Sequence, residues 1–141
     1  VLQQFVHNSY SARRAGTVST GNALRSGAGG APGVGCLALQ LQPGTRSQAE
    51  LVADIDNGVL IQMVQGLHSG VNPVSGDFSA GASGLQITNG TLGAPLREFT
   101  IASTLQRMLL DIAEVGGDID WLPSRASGMS LVIRDVTVSG A

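Results

Sequence analysis

At 141 residues, 43% hydrophobic and 13% charged, the chain is long enough to bury one core and too apolar for disorder. Net charge is −2 and all 8 basic residues are Arg, set singly apart from Arg13-Arg14, so no basic patch of the kind a nucleic-acid surface requires is visible. One cysteine, Cys36, excludes an internal disulfide framework and fits a reducing compartment, and no apolar run of about 18 residues exists to span a membrane as a helix.

The start, "VLQQFVHNSYSARRAG", has neither an initiator Met nor a signal pattern, and the chain is expected to be part of a longer protein. Residues 1–10 read equally as a strand end or a short helix. Twenty Gly cluster at 16–35 and 66–93; ordered Gly at that density implies positive φ or close backbone approach. "RSGAGGAPGVG" (25–35) reads as a flexible loop. "CLALQLQ" (36–42) reads as a strand, with a turn at Pro43-Gly44. Ser47 with Glu50 three residues on forms a capping box, which predicts a helix over 47–55 ended by Asn57-Gly58.

"VLIQMVQG" (59–66) predicts a buried strand and "GLQITNGTL" (84–92) a second. Asn89-Gly90 between them and a returning strand at 91–100 is the strongest hairpin signal in the chain. Pro95 marks an edge or a bulge. Ile101, Leu105, Met108, Leu109, Ile112 and Val115 form a stripe at helical spacing, predicting a helix over 101–115 capped by Thr100 or Ser103 and stopped by Gly116-Gly117. "MSLVIRDVTVSG" (129–140) predicts the last strand. The expected fold is α+β: a mainly antiparallel β-sheet or partial barrel with two helices, in one domain.

Few residues have a chemical reading. His7 and His68 stand far apart with no paired-histidine motif, and a zinc site needs three or four His, Cys or carboxylate ligands. Cys36 lacks a visible base, so a buried, inert thiol is the preferred reading. No nucleophile elbow, phosphate loop or dinucleotide fingerprint occurs. Asn89-Gly90-Thr91 matches a glycosylation acceptor but is better explained as a turn. Asp111, Glu114, Asp118 and Asp120 read as a solvated face.

The stretch "GLHSGVNPVSGDFSAGASG" (66–84) is the most suggestive. Pro73 forces Asn72 out of the α region. Asn72 and Asp77 readily bond backbone two residues on, so Asn72, Gly76 and Asp77 supply a tight turn in which the Asp77 carboxylate is expected to accept backbone N–H groups. The alternation beyond it puts small residues, Ser79 and Gly81 among them, on one face of a strand. The favoured reading is a sheet corner; the alternative is a groove for an extended peptide.

Four blocks, "SYSARRAGTVSTGNA" (9–23), "GVNPVSGDFSAGASGLQITNG" (70–90), "PLREFTIASTLQRMLLDIAEVGGDID" (95–120) and "SLVIRDVTVSG" (130–140), together resemble the C-terminal part of the TldD/PmbA family, also called modulators of DNA gyrase. Tyr10, Arg13, Ser19 and Asn22 fall in the first block. The resemblance implies a domain of a longer protein. Its TldD branch resembles a zinc metalloprotease with an HExxxH helix upstream of the matched region and a Cys ligand near the C-terminus. Its PmbA (TldE) branch lacks these ligands and pairs with TldD. Ser79-Ala80-Gly81, and the absence of Cys from "DIDWLPSRASGMS" (118–130), resemble the PmbA branch.

The resemblance therefore implies a PmbA/TldE-like subunit of a cytoplasmic metalloprotease acting on unfolded peptides. No catalytic residue or metal ligand is expected in this chain, with zinc only in a TldD-like partner or upstream. A TldD-like subunit or self-association is the expected partner, without direct nucleic-acid or membrane contact. Two alternatives stand beside it: an active zinc metalloprotease whose motif lies upstream, and a regulatory module linked to gyrase or toxin–antitoxin control.

Overall fold

The computed structural model describes residues 5–36, 38–123 and 126–140. The chain falls into two compact units, Val1–Leu41 and Gln42–Ala141.

The N-terminal unit holds helix α1 (Ser9–Ala15) and a two-residue ladder of β1 (Ala23–Leu24) with β2 (Gly33–Val34). Asn8 starts α1 through a capping box. Its side chain accepts from the Ser11 N–H at 2.8 Å, and the Ser11 hydroxyl accepts from the Asn8 N–H at 3.1 Å. The Asn8 amide also donates to the carbonyls of Pro32 and Gly33, which explains why this polar residue is buried. Segment 25–35 is thereby the connection of a short hairpin, and Gly33 and Val34 belong to its second strand. Gly16, at φ 65°, closes the helix.

In the second unit the Ser47–Glu50 capping box opens α2 (Gln48–Ala53) as expected. That helix ends at Asp54; Asn57-Gly58 instead opens β3 (Asn57–Gln65). A short helix α3 (Leu67–Gly70) leads to β4 (Asp77–Thr88) and β5 (Thr91–Thr104). These strands and β10 (Thr137–Ser139) form an antiparallel sheet in the order β10-β5-β4-β3. Asn89 and Gly90 turn the β4–β5 hairpin at φ 48° and 72°, both left-handed as the sequence predicts. Their N–H groups donate to Asp56 and Ile55, so the hairpin tip is tied to the end of α2.

Burial alternates along β4: Phe78, Ala80, Ala82 and Gly84 face inward. With Phe99 and Ile101 of β5 they make the core, and Val59, Ile61, Val64 and Met108 pack against it. The small Ala80 and Ala82 leave room for Phe99, the most deeply buried side chain. β3 is half-buried rather than buried, because it forms one edge of the sheet.

The sheet bends around Ser83-Gly84. Register shifts fall between Ile61 and Met63 on β3 and between Ala82 and Gly84 on β4, where Arg97 and Glu98 together oppose Ser83. Such two-against-one bulges raise local twist. A Cβ on Gly84 would overlap the Leu60 carbonyl oxygen, so the bend requires glycine there. Pro95 pairs with Leu85 beside a further shift, in the part of β5 that β10 does not cover. Its missing N–H is tolerated at that edge.

The architecture is α+β with antiparallel sheets that do not close into a barrel among the described residues. Several elements differ from expectation. The helix expected over 101–115 is only α4 (Leu105–Leu110). Ile101 instead pairs with Ala80 and Val138 inside the sheet, and Thr104 rather than Thr100 or Ser103 caps the helix, accepting from the Arg107 N–H. Ile112–Val115 forms β6, paired with β9 (Leu131–Ile133). The single strand expected over 129–140 is thus two, β9 and β10, separated by a turn in which Asp135 adopts φ 56°. Strands β7 (Asp120–Leu122) and β8 (Ala126–Gly128) add an unexpected hairpin. Over 36–42 no described residue is in a strand.

Candidate functional site: the 66–84 turn and the sheet face beyond it

Turn 72–77 is built on Asn72. Its side-chain oxygen accepts the N–H groups of Val74 at 2.9 Å and Ser75 at 3.2 Å. Its own N–H donates to the Asp77 carbonyl, and its carbonyl accepts from Gly76. Pro73 holds Asn72 extended, which aims the side chain at the residues two and three ahead. Gly76 sits at φ 82°, buried, with its carbonyl accepting the Leu105 N–H, and Gln106 donates to the Ser75 carbonyl. The turn is therefore docked on the start of α4.

Asp77 does not play the expected part. Its carboxylate accepts the Ser75 hydroxyl at 2.6 Å and no backbone N–H, and the residue is exposed. Asn72 has already taken the turn's N–H groups. Ser79 and Gly81 point to the face opposite the core. Gly81 lines a depression of about 480 Å³ with Gln65, Ser83, Arg97, Glu98 and Thr100. Glu98, at φ 57° in the β5 bulge, is a left-handed residue that nothing in the sequence signals. On the core side an open groove of about 1460 Å³ has a mixed lining, with Val59, Ile61 and Met108 beside Glu114, Asp118 and Arg134.

The acidic run 111–120 is not one solvated face. Arg46 donates to both Glu114 oxygens at 3.0 and 3.1 Å and to Asp54 at 2.7 Å, which raises its own pKa, Asp54 contributing most. Asp111 pairs with Arg107 at 3.1 Å. Asp118 accepts the Ser130 hydroxyl at 2.6 Å and the Ser130 N–H, and is held below the usual carboxylate range mainly by that hydroxyl. Glu50 is likewise lowered by the Ser47 N–H and hydroxyl. Asp120 is exposed. The Glu50 tie is the capping box legible in the sequence and Arg107–Asp111 is a local i,i+4 pair; the Arg46–Glu114 and Asp118–Ser130 ties join separate elements, and no local rule signals them.

The remaining marked residues lie in the N-terminal unit. Ser19 and the Asn22 N–H converge on the His7 carbonyl, as do the N–H and hydroxyl of Thr20. The Asn22 amide donates to Gly35. Tyr10, Arg13 and Arg14 are exposed, with the Arg14 guanidinium 5.8 Å from the Tyr10 ring centroid. Half-buried His7 places Nδ1 3.3 Å from the Ser11 hydroxyl, and His68 is exposed on α3. Cys36 is exposed, contrary to the expected burial; among the described residues of 36–42 none lies in a strand. Among the described residues no three His, Cys, Asp or Glu side chains come together as a metal-binding set, and no helix is long and apolar enough to cross a membrane.

Fold and turn define an α+β domain on a bent antiparallel sheet, its marked loop held by its own backbone bonds. A family model described as PmbA/TldA metallopeptidase C-terminal domain matches residues 1–140, and the chain belongs to that family. It is 34% identical to a metalloprotease PmbA homolog of Haemophilus influenzae, over 99% of this chain and 28% of the relative. It is 31% identical to the metalloprotease PmbA of Escherichia coli O157:H7, again over 99% of this chain and 28% of the relative. A crystal structure from Thermotoga maritima, described as a modulator of a DNA gyrase, superposes with a TM-score of 0.84 at 33% identity, over 99% of this chain and 31% of that one. TldE from Thermococcus kodakarensis gives 0.79 at 29%, over 96% and 31%. The chain thus spans less than a third of the relatives it matches.

Proposed function

We propose that the chain is the C-terminal domain of a PmbA/TldE-like subunit of a cytoplasmic TldD-type metalloprotease. The subunit shapes the path of unfolded peptide and carries no catalytic residue in this region. The observation that supports this most is how the marked residues spend their polar groups. Asn72, Ser19 and Asn22 bond backbone, and Asp77 meets only Ser75. Nor do the described His, Cys and carboxylate groups fit a zinc site, which needs three or four converging ligands. On this reading zinc is held by a TldD-like partner or by the upstream region, and the likeness to a solved TldE supports the partner role.

A second reading has its own support. The curated relatives are called metalloproteases, so an active enzyme with ligands elsewhere in the protein is the alternative. The Thermotoga description supports a third, a regulatory module linked to gyrase, although a net charge of −2 opposes direct DNA contact. The full-length protein and a TldD-like partner, purified separately and together, separate these readings. The proposal expects cleavage of an unfolded peptide by the pair, with zinc in the partner only. Stoichiometric zinc and cleavage by the full-length protein alone would establish the second reading instead.

A further inference from the structure

Charge is segregated along this chain. Residues 1–41 contain Arg13, Arg14 and Arg25 and no Asp, Glu or Lys, a net +3. Residues 42–141 hold the other five Arg and all ten carboxylates, a net −5. That division falls at the boundary between the two compact units. All three N-terminal Arg are exposed. So are two aromatics beside them in sequence, Phe5 at 85% and Tyr10 at 67%. Exposed Arg beside exposed aromatics, with no carboxylate anywhere in residues 1–41, suits a recognition surface, where Arg and aromatics are favoured. Arg14 is also pre-oriented: its guanidinium lies over the Tyr10 ring and its Nη1 stands 3.5 Å from the Tyr10 hydroxyl. A guanidinium held beside a ring in this way still has donors free for a carboxylate.

We propose that the N-terminal unit binds acidic stretches of polypeptide, Arg13 and Arg14 gripping carboxylates and Tyr10 holding the Arg14 fork in place. Three cations are few for a nucleic acid, whose binders neutralise many phosphates. A peptide with two or three carboxylates needs no more than is present. The inference rests on the peptide-handling reading above, to which it adds a class of peptide.

The test is fluorescence anisotropy of a labelled poly-glutamate peptide with the whole protein and no protease partner, so a failure of cleavage does not touch it. Saturable binding is expected, weakening several-fold as salt rises from about 50 to about 200 mM. Arg13→Glu with Arg14→Glu should weaken it by roughly tenfold or more, and Arg14→Glu alone by about threefold. Tyr10→Ala should give a smaller loss that Tyr10→Phe does not. Arg134→Glu matches the net-charge change of Arg14→Glu from the other unit and should leave binding unchanged. Thermal melts establish that each variant is folded. Equal weakening by Arg134→Glu, no effect of Arg14→Glu in a folded protein, or tighter binding of a single-stranded oligonucleotide than of poly-glutamate would each overturn the proposal.

Discussion

Turn 72–77 allows a sharp test, because two nearby polar residues that look alike in sequence differ in the structure. In Asn72→Ala the N–H groups of Val74 and Ser75 lose a shared acceptor at 2.9 and 3.2 Å. Both donors are exposed, so water recovers part of the loss, and a cost of roughly 1 kcal/mol is expected. Asp77→Ala removes one bond, from the Ser75 hydroxyl, and leaves the backbone bond between the Asn72 N–H and the Asp77 carbonyl in place. Both side chains are exposed, so the cost should be under about 0.5 kcal/mol. In thermal melts at neutral pH the first variant should lose about 4 °C and the second about 1 °C. Urea melts with an unchanged slope would assign both shifts to native-state stability. Asn72→Asp keeps the acceptor and should recover most of the loss. If Asp77→Ala costs as much as Asn72→Ala, the carboxylate is part of the turn's frame and the hydrogen-bond assignment is wrong.

Gly84→Ala should cost about 2 kcal/mol or more in a urea melt, because its Cβ meets the Leu60 carbonyl rather than a side chain that can swing away. Arg46→Gln should lower the melting temperature slightly, and less so in high salt, since it removes the bridge from Asp54 to Glu114; thermal melts in low and high salt measure both. Glu50 and Asp118 titrate below their ordinary range in the fold. Each therefore adds stability that is present above its unfolded pKa and lost as pH falls through the folded one, below about pH 4. Ser130→Ala should flatten the acid limb of stability against pH and move the Asp118 titration up toward the ordinary value, as read by NMR.

The part of this fold legible in the sequence is its local chemistry. Ser47 with Glu50 and Asn89-Gly90 are read correctly because a capping box and a left-handed turn are settled within four residues. Expectation fails where a partner far along the chain decides. Ile101, Leu105, Met108, Leu109, Ile112 and Val115 do recur at helical spacing. Even so, Ile101 pairs with Ala80, twenty-one residues earlier, and Ile112 with Ile133, twenty-one later. Thr100, Ile101 and Thr104 are β-branched and fit a strand at little cost, so sheet pairing overrides the period at both ends and leaves six residues of helix between. The same competition splits 129–140, whose halves join different sheets.

The site is legible to a similar depth. Asn72, Gly76 and Pro73 carry their turn by local rules, and the structure keeps them together. The same rules assign Asp77 the same work, by analogy with Asn72. A six-residue turn has few backbone N–H groups to offer, and the residue aimed forward by Pro73 takes two of them first. Glu98 shows the opposite case. Glutamate has no preference for left-handed backbone, so no rule places one there. It sits at φ 57° in a bulge where β5 places two residues, Arg97 and Glu98, against Ser83 alone, next to Gly84. The close Gly84–Leu60 approach lies next to it in register, on the opposite side of β4 from the residue that bears the strain. Relief of that strain follows from the same geometry. Glu98→Asn should be neutral or slightly stabilising in the intact sheet, because asparagine tolerates the left-handed region. In a Gly84→Ala background, where the bend is disturbed, the benefit should shrink. A double-mutant cycle by urea melts measures this coupling, and simple additivity of the two changes would show that the bulge at Glu98 is independent of the bend.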